Sequence, residues 1–273
     1  MDYSINFEYM KKGINEKNAA HIISKLGFRF LDYTPPIEND YWEKIMLKNM
    51  HIFEKENLSV HQTHAPFNRY GTYGDRHIEF LNRALEATIY MGAKFMVVHG
   101  DEFDFENNDY SPEKALIYNY DLFAPIIEKA TAKNINIAFE NVFEGGYKNR
   151  ARFCTRVEEL EALIEKFNSD NVCCCWDFGH AGVAFGEAQA EKIKYLGKHI
   201  KCTHVHDCGH NQDLHLPPFL GSIDWKECMR AMGEIDYSGN LSFEFVYGKV
   251  PEELAETFLK SMTKIADCLC SYL

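Results

Sequence analysis

The stretch Lys201–Trp225 reads K-C-T-H-V-H-D-C-G-H-N-Q-D-L-H-L-P-P-F-L-G-S-I-D-W. It connects a predicted strand, which ends at His206, to a predicted helix, which begins at Asp224. Histidine and carboxylate side chains at this density are typical of divalent-metal ligands. The alternative is a polar surface loop with scattered histidines, and the rest of the chain decides between the two interpretations. The side chains concerned are His204, His206, Asp207, His210, Asp213 and His215.

The same order of a strand followed by a helix repeats on both sides of this stretch. Eight such units in 273 residues predict an α/β fold, a (β/α)8 TIM barrel. No linker rich in Ser, Gly or Pro interrupts them, so we expect a single domain over residues 1–273. The predicted strands are Tyr3–Phe7, Phe28–Tyr33, Leu58–His64, Lys94–His99, Ile135–Glu140, Val172–Asp177, Ile200–His206 and Asn240–Phe245. The predicted helices are Glu16–Leu26, Asp40–Glu56, Asp75–Met91, Ser111–Lys133, Thr155–Phe167, Glu187–Lys198, Asp224–Met232 and Pro251–Cys268.

The competing architecture is a doubly wound open sheet, in which a glycine-rich turn follows the first strand. Residues 8–16 read E-Y-M-K-K-G-I-N-E and contain no G-x-G-x-x-G pattern. The barrel is therefore the better prediction, and no organic cofactor is expected.

Composition narrows the class of protein. With 29 Lys and Arg against 41 Asp and Glu, the net charge is −12, which does not suit broad contact with nucleic-acid phosphates. Three of the nine cysteines are consecutive, Cys173–Cys175, and no C-x-x-C pair occurs, so we expect reduced core residues and no thiolate zinc site. The first residues show no signal-peptide pattern, and no apolar run is long enough to span a membrane. We expect a cytoplasmic protein without membrane contact.

Polar residues fall where the predicted strands end. In a barrel the carboxyl ends of all strands face one mouth, which is where barrel active sites lie. A single such residue is typical of a cap, but six consecutive units each carry one, and a buried charge is costly unless it is paired or bound to metal. The residues at these ends are His64, His99, Glu140, Asp177, His204, His206 and Glu244.

Three of these residues are carboxylates, which at one mouth would repel each other and raise the pKa of one of them. A divalent cation would remove that repulsion. Three carboxylates and one imidazole suit Mn²⁺, Mg²⁺, Co²⁺ or Zn²⁺. We therefore expect a divalent metal as the cofactor.

Taken together, these motifs resemble the xylose isomerase-like barrel superfamily. It contains sugar and sugar-phosphate isomerases and epimerases, and the endonuclease IV type of AP endonuclease. The resemblance spans nearly the whole chain. The matching pieces are V-V-H-G-D at 97–101, A-F-E-N at 138–141, W-D-F-G-H-A-G at 176–182, H-V-H-D at 204–207, D-L-H-L-P-P at 213–218 and S-F-E-F at 242–245.

The resemblance implies a metal site of Glu140, Asp177, His204 and Glu244, with His64 and His99 lining the same mouth. His180, Asp213 and His215 match the further ligands with which the AP endonucleases hold several zinc ions, so the pattern leaves the number of metals open. The H-x-x-D spacing to Asp207 favours His204 over His206 as the ligand. His206 is then expected nearer the solvent, in contact with substrate, or as a hydrogen-bonded neighbour of the ligands.

The resemblance implies an isomerase or epimerase that acts on a sugar or sugar phosphate, with Glu140 and Glu244 as the catalytic acid and base. The alternatives are an AP endonuclease and a metal-dependent polyol dehydratase. The early loops carry few basic residues, which makes nucleic acid an unfavoured partner. Members of this family often form dimers or tetramers, so a homo-oligomer is a candidate state.

One basic group follows the fifth predicted strand: Lys148, Arg150 and Arg152. It is a candidate for binding a sugar phosphate, and the alternative is a solvated loop. Aromatic side chains are also expected to line the mouth: Tyr33, Phe67, Tyr70, Tyr73, Phe103, Phe105 and Trp176.

Overall fold

A parallel sheet of eight strands forms the centre of the computed structural model, which describes residues 1–10, 14–68, 72–100, 110–144, 152–245 and 250–273. Neighbouring strands pair in parallel, and the last strand of the chain lies beside the first. The isolated bridge between Val205 and Phe243 joins the two edges, so the sheet closes into the predicted (β/α)8 barrel. The strands are β1 (Tyr3–Asn6), β2 (Phe30–Tyr33), β3 (Ser59–His64), β4 (Phe95–His99), β5 (Asn136–Glu140), β6 (Val172–Asp177), β7 (Ile200–His204) and β10 (Leu241–Phe243).

Helices follow the strands, and several begin at the caps that the sequence contains. Ser111 Oγ accepts from Lys114 N at 3.3 Å, with Pro112 in the first helical position. The eight predicted helices are present, with ends shifted by a few residues. The helices are α1 (Phe7–Met10), α2 (Glu16–Lys25), α3 (Trp42–Lys55), α4 (His77–Tyr90), α5 (Pro112–Thr131), α6 (Val157–Phe167), α7 (Phe178–Phe185), α8 (Gln189–Leu196), α9 (Trp225–Glu234) and α10 (Glu252–Cys270).

Three clusters of buried apolar side chains hold the described part of the barrel together. The largest lies between the helices and the sheet, a second joins α3 to α4 through Trp42, Met46 and Phe80, and the third fills the barrel below its mouth. This third cluster consists of Phe95, Val97, Ala138, Cys173, Cys175 and Cys202. The consecutive cysteines are buried, and all nine cysteines of the chain are free, as predicted. Among the described residues, no helix is both long and apolar enough to cross a membrane.

Two elements near the mouth were not predicted. One is the hairpin of β8 (Asp207–Gly209) and β9 (Gln212–Leu216), and the other is α7, which begins directly after β6. Helix α7 approaches the end of β7 so closely that a Cβ atom at Gly179 would lie 1.9 Å from His206 Cε1. A Cβ at Gly182 would lie 2.5 Å from Cys208 Sγ. These glycines let α7 pack against the side chains of His206 and Cys208 and bring His180 into the mouth.

The stability of the barrel should fall in mild acid because of His61 in β3. Its ring contacts Phe30 and Phe95 at centroid distances of 5.8 and 5.5 Å. Burial, followed by the charge of Lys94, lowers the pKa of His61 from 6.5 to about 4. The folded pKa lies below the unfolded one, so this contribution to stability is complete above pH 6.5 and is lost as the pH falls toward 4.

The His61→Phe variant should therefore lose less stability than the wild type between pH 7.5 and pH 5. The expected difference is about 2 kcal/mol in the free energy of unfolding, measured by urea denaturation. His51→Phe changes an exposed histidine of α3 and should leave the pH dependence as it is. Equal pH dependence in His61→Phe and the wild type would contradict the prediction.

Candidate functional site

Three carboxylates converge around one imidazole nitrogen at the mouth of the barrel: Glu140 ends β5, Asp177 ends β6, and Glu244 directly follows β10. His204 Nδ1 lies 3.2 Å from Glu244 Oε2, 3.3 Å from Glu140 Oε1 and 3.8 Å from Asp177 Oδ2. The ligand atoms of Asp177, His204 and Glu244 all lie within 4.8 Å of one another. The structure thus brings together the four residues that the sequence singled out for a metal site.

Glu140 is the centre of a wider group of side chains. Its Oε2 lies 3.1 Å from His64 Nε2 and 3.2 Å from His99 Nε2, and its Oε1 lies 3.1 Å from His180 Nδ1. Together with His204, four imidazoles surround one carboxylate that is 1% exposed. Glu140 therefore belongs to two further sets of possible ligands, one with His64 and His99 and one with Asp177 and His180.

A further set of possible ligands extends the site toward the β8–β9 hairpin. Asp213 Oδ2 lies 3.2 Å from His215 Nε2 and 3.6 Å from His180 Nε2. His180, His206, Asp213 and His215 together could hold an ion. The structure thus places all nine residues matched to the AP endonuclease pattern in one continuous cluster.

His206 does not lie near the solvent, contrary to one of the two expectations for it. Strand β7 ends at His204, and the following turn directs the His206 ring inward, where it is fully buried. Its Nε2 lies 2.9 Å from Asp177 Oδ2, and its ring stacks on that of His215 with centroids 3.9 Å apart. His206 is therefore a hydrogen-bonded neighbour of Asp177.

Asp207, which was grouped with possible ligands, instead holds the loop that leads to α9. Its Oδ1 accepts from Cys208 N at 2.9 Å and Ile223 N at 3.2 Å, and its Oδ2 accepts from Phe219 N at 3.0 Å and Trp225 Nε1 at 2.8 Å. These four bonds occupy both oxygens of a fully buried carboxylate. His210 is exposed in the hairpin turn and also lies outside the cluster.

Asp207→Asn should destabilise the protein, because the amide group would present a donor where the chain offers only donors. The expected loss is about 2–4 kcal/mol in the free energy of unfolding, or a fall of roughly 5–10 °C in melting temperature. Thermal unfolding followed by circular dichroism measures this change. An unchanged melting temperature would show that the four hydrogen bonds contribute little.

The carboxylates of the cluster behave differently from the sequence-based expectation of mutual repulsion. Burial alone would raise the pKa of Glu140, but His204, His99 and His180 outweigh it and hold that pKa well below the ordinary value. Asp177 follows the same pattern, since His180 and His206 outweigh burial and lower its pKa. The histidines between the carboxylates therefore stabilise their ionised forms, whereas the sequence-based expectation considered only the repulsion between the carboxylates.

The histidines of the cluster differ from one another in the direction of their pKa shifts. Burial opposes the charge of His204, but Glu244, Glu140 and Asp32 raise its pKa well above the ordinary value. For His99, burial dominates and lowers the pKa to about 4, so its imidazole is neutral at pH 7. The positive charge of imidazolium groups offsets the negative charge of the carboxylates across the cluster. A divalent cation could displace these protons and supply the positive charge in their place.

The cluster fits a divalent cation by its chemistry and by its unsatisfied atoms. Carboxylate oxygens and imidazole nitrogens are the donors that such ions prefer. Within the described part of the chain, His204 Nδ1, His99 Nδ1 and Asp213 Oδ1 are buried without a hydrogen-bond partner. Buried polar atoms without partners are uncommon in folded proteins, and a bound ion would satisfy those that point into the cluster.

A sequence model described as "Xylose isomerase-like TIM barrel" matches residues 20–265, which is most of the chain. The chain belongs to the xylose isomerase-like TIM barrel family. Two curated proteins are similar to part of the chain. An uncharacterized protein of Methanocaldococcus jannaschii is 28% identical over 168 residues, which cover 61% of this chain and 56% of that protein. A probable endonuclease 4 of Mycoplasmopsis synoviae is 26% identical over 144 residues, covering 50% of this chain and 48% of that protein.

This xylose isomerase-like barrel thus spans about half the length of the curated relatives that it matches. Among solved structures, an IOLI protein with a bound zinc atom superposes with a TM-score of 0.81 at 19% identity, covering 100% of this chain and 99% of that one. A D-tagatose 3-epimerase-like protein gives 0.77 at 21% identity, covering 98% of each chain. At these identities the likeness supports the barrel fold alone.

Two adjoining cavities open above the cluster of this xylose isomerase-like barrel. The outer one has a volume of about 530 Å³ and is lined by Pro36, Glu38 and Tyr73. The inner one has a volume of about 150 Å³ and includes Glu140. Three residues line both cavities, so a ligand in the outer one would reach the cluster: His64, Phe67 and Glu244.

Of the predicted basic group, Arg152 lines the inner cavity, where its Nη1 donates to Phe143 O at 3.0 Å. Lys148 and Arg150 lie outside the described residues, as do Tyr70, Phe103 and Phe105. Two of the predicted aromatic residues do not line the mouth. Tyr33 is buried against Phe53, and Trp176 is buried against Phe185.

Sequence reasoning missed Asp32, which belongs to the same cluster. Its Oδ2 lies 3.1 Å from His204 Nε2, and the residue is fully buried. The only available signal was an acidic residue inside the otherwise apolar and aromatic run F-L-D-Y of β2.

Proposed function

We propose that this protein is a divalent-metal-dependent isomerase or epimerase that acts on a sugar or sugar phosphate by proton transfer. One observation carries the proposal: Glu140 and Glu244 both lie within 3.3 Å of His204 Nδ1, and both line the inner cavity, which shares Glu244 with the outer cavity of about 530 Å³. Two carboxylates placed in this way can act as acid and base on opposite faces of one carbon atom.

In this proposal Glu140, Asp177, His204 and Glu244 hold the cation, which is Mn²⁺, Mg²⁺, Co²⁺ or Zn²⁺. When bound, such an ion supplies Lewis-acid stabilisation of the negative charge that develops on two adjacent substrate oxygens. The zinc in the structure of the IOLI protein supports this choice by analogy of fold.

The remaining steps belong to the side chains of the protein. One of the two glutamates removes the proton from the carbon next to the substrate carbonyl, and the other delivers a proton to the opposite face. The side chain of Glu244 is 12% exposed and lines both cavities, whereas that of Glu140 is 1% exposed and held by histidines. Glu244 is therefore the more accessible partner, and Glu140 the more enclosed. Arg152 and Phe67 would orient the substrate from the cavity walls.

The test is turnover in deuterium oxide with a panel of ketoses and ketose phosphates. We expect deuterium at the carbon next to the carbonyl in the product and in recovered substrate, read by mass spectrometry and NMR. Turnover without exchange would overturn the proton-transfer scheme and leave a hydride shift. Loss of water from the substrate would identify a polyol dehydratase, which begins with the same proton removal.

A second candidate function is AP-site phosphodiester hydrolysis with several zinc ions. It is favoured by four adjoining sets of possible ligands at the mouth, which are linked through Glu140, Asp177 and His180, and it agrees with the endonuclease 4 relative. The net charge of −12 opposes it. Metal analysis separates the two candidates: three zinc ions per chain, with cleavage of an oligonucleotide that contains an abasic site, would support hydrolysis. One ion without cleavage would support the isomerase.

We also keep two sequence-based proposals: a cytoplasmic location and a homo-oligomeric state. Fractionation of cells and light scattering of the purified protein would test them.

A further inference from the structure

Asp32 lies at the centre of a buried polar network directly behind His204. Four strands contribute to this network: β2, β3, β7 and β10. Asp32 Oδ2 accepts from Gln62 Nε2 at 3.1 Å and from Ser242 Oγ at 3.2 Å, and it lies 3.1 Å from His204 Nε2. All four residues are fully buried. One oxygen that accepts two hydrogen bonds and faces a ring nitrogen is held on three sides.

The two ring nitrogens of His204 have different surroundings. Nδ1 faces the carboxylates of Glu140 and Glu244 at the mouth, whereas Nε2 faces Asp32 on the inner side. The contact to Asp32 is a close ion pair and not a well-directed hydrogen bond, so its influence is electrostatic. Once a cation occupies the side of Nδ1, the carboxylate 3.1 Å from Nε2 holds the remaining ring proton on that nitrogen.

We propose that Asp32 is a positioning residue that keeps the His204 proton on Nε2 and so leaves the lone pair of Nδ1 free for a divalent cation. A carboxylate behind a metal-binding imidazole fixes the tautomer and increases its strength as a ligand. The inference rests on the proposed metal site. It adds Asp32 to that site, together with Gln62 and Ser242, which hold the Asp32 carboxylate in place.

A purely structural role for Asp32 would have different consequences. Asp207 illustrates that role: it is equally buried and accepts four hydrogen bonds, but they come from its neighbour Cys208, from the loop before α9 and from the first residue of α9. Removing the charge of Asp207 should change stability without changing metal binding. Removing the charge of Asp32 should change metal binding even where the fold is retained.

The experiment compares the Zn²⁺ affinity of the wild type, Asp32→Asn and Asp207→Asn by competition with a chromogenic chelator. We expect the tightest site of Asp32→Asn to bind Zn²⁺ about 10- to 100-fold more weakly than that of the wild type. Asp207→Asn should retain the wild-type affinity while it loses thermal stability. Circular dichroism at the assay temperature confirms that the variants are folded.

A second measurement needs no variant. In the zinc-loaded wild type, ¹⁵N NMR of the imidazoles should show His204 protonated at Nε2 and bound through Nδ1. Wild-type Zn²⁺ affinity in Asp32→Asn, or coordination of His204 through Nε2, would overturn the role of Asp32 and leave the metal site intact. If the wild type itself binds no Zn²⁺, Mn²⁺, Mg²⁺ or Co²⁺, the metal site and the role of Asp32 fall together.

Discussion

Glu140→Gln should lower kcat by at least about 1,000-fold while the protein remains folded. The amide keeps the shape of the side chain but cannot take a proton from the substrate. It also places an NH2 group among His64, His99, His180 and His204, whose nitrogens lie within 3.3 Å of the present carboxylate. The variant therefore loses a base and weakens a metal ligand at once, which makes this the largest effect of a single substitution that we expect.

The measurement is the initial rate on the substrate identified by the deuterium assay, at saturating metal. Glu159→Gln is the matched control, since Glu159 is also a buried glutamate but lies on α6, where it contacts Tyr110 and Arg156. It should change stability and leave kcat within about threefold of the wild type. A Glu140→Gln enzyme with more than a tenth of the wild-type rate would remove Glu140 from the mechanism.

Removal of metal should abolish activity and lower the melting temperature by roughly 10 °C. Five carboxyl groups lie at or behind the mouth: Asp32, Glu140, Asp177, Asp213 and Glu244. Protonated histidines can balance part of this charge, but they cannot polarise a substrate carbonyl as a divalent ion does. An ion present at a thousand times its dissociation constant stabilises the fold by about 4 kcal/mol, which corresponds to the expected shift for a chain of this size.

Dialysis against a chelator, followed by metal analysis, calorimetry and rate measurement, tests this prediction. Adding back Mn²⁺, Mg²⁺, Co²⁺ and Zn²⁺ separately should restore the rate with at least one ion and show which one is preferred. In Asp177→Asn the gain in melting temperature on adding metal should shrink. Full activity at undetectable metal content would contradict both the cofactor and the role of the cluster.

The barrel and most of the cluster could be predicted because both follow from local patterns. A strand that ends in a polar residue directs it to the common mouth, so Glu140 and a histidine of the seventh strand could be placed there from their positions. The choice of His204 over His206 needed the H-x-x-D spacing as well. Asp32 could not, because its partners Gln62 and Ser242 lie 30 and 210 residues away along the chain. Nothing beside Asp32 in the sequence distinguishes it from an ordinary polar residue in a strand.

Helix α7 and the role of Asp207 were missed for a related reason. Gly179 and Gly182 lower the helix propensity of that segment. The helix can nevertheless pack at this position because only glycine fits against His206 and Cys208. Asp207 directly follows the two histidines of the H-V-H-D motif. Its carboxylate, however, accepts hydrogen bonds from Phe219 N and Trp225 Nε1, which lie 12 and 18 residues further along the chain. In both cases the deciding contacts join parts of the sequence that only the folded barrel brings together.

The shared position of Glu140 has a consequence for how the mouth takes up a cation. Its two oxygens serve four imidazoles, so a bound cation changes the charge and the proton count felt by every neighbouring set of ligands. Uptake of the cation is therefore linked to the protonation of the whole cluster and should release protons to the buffer. The apparent affinity for the cation is a collective property of the cluster and depends on pH.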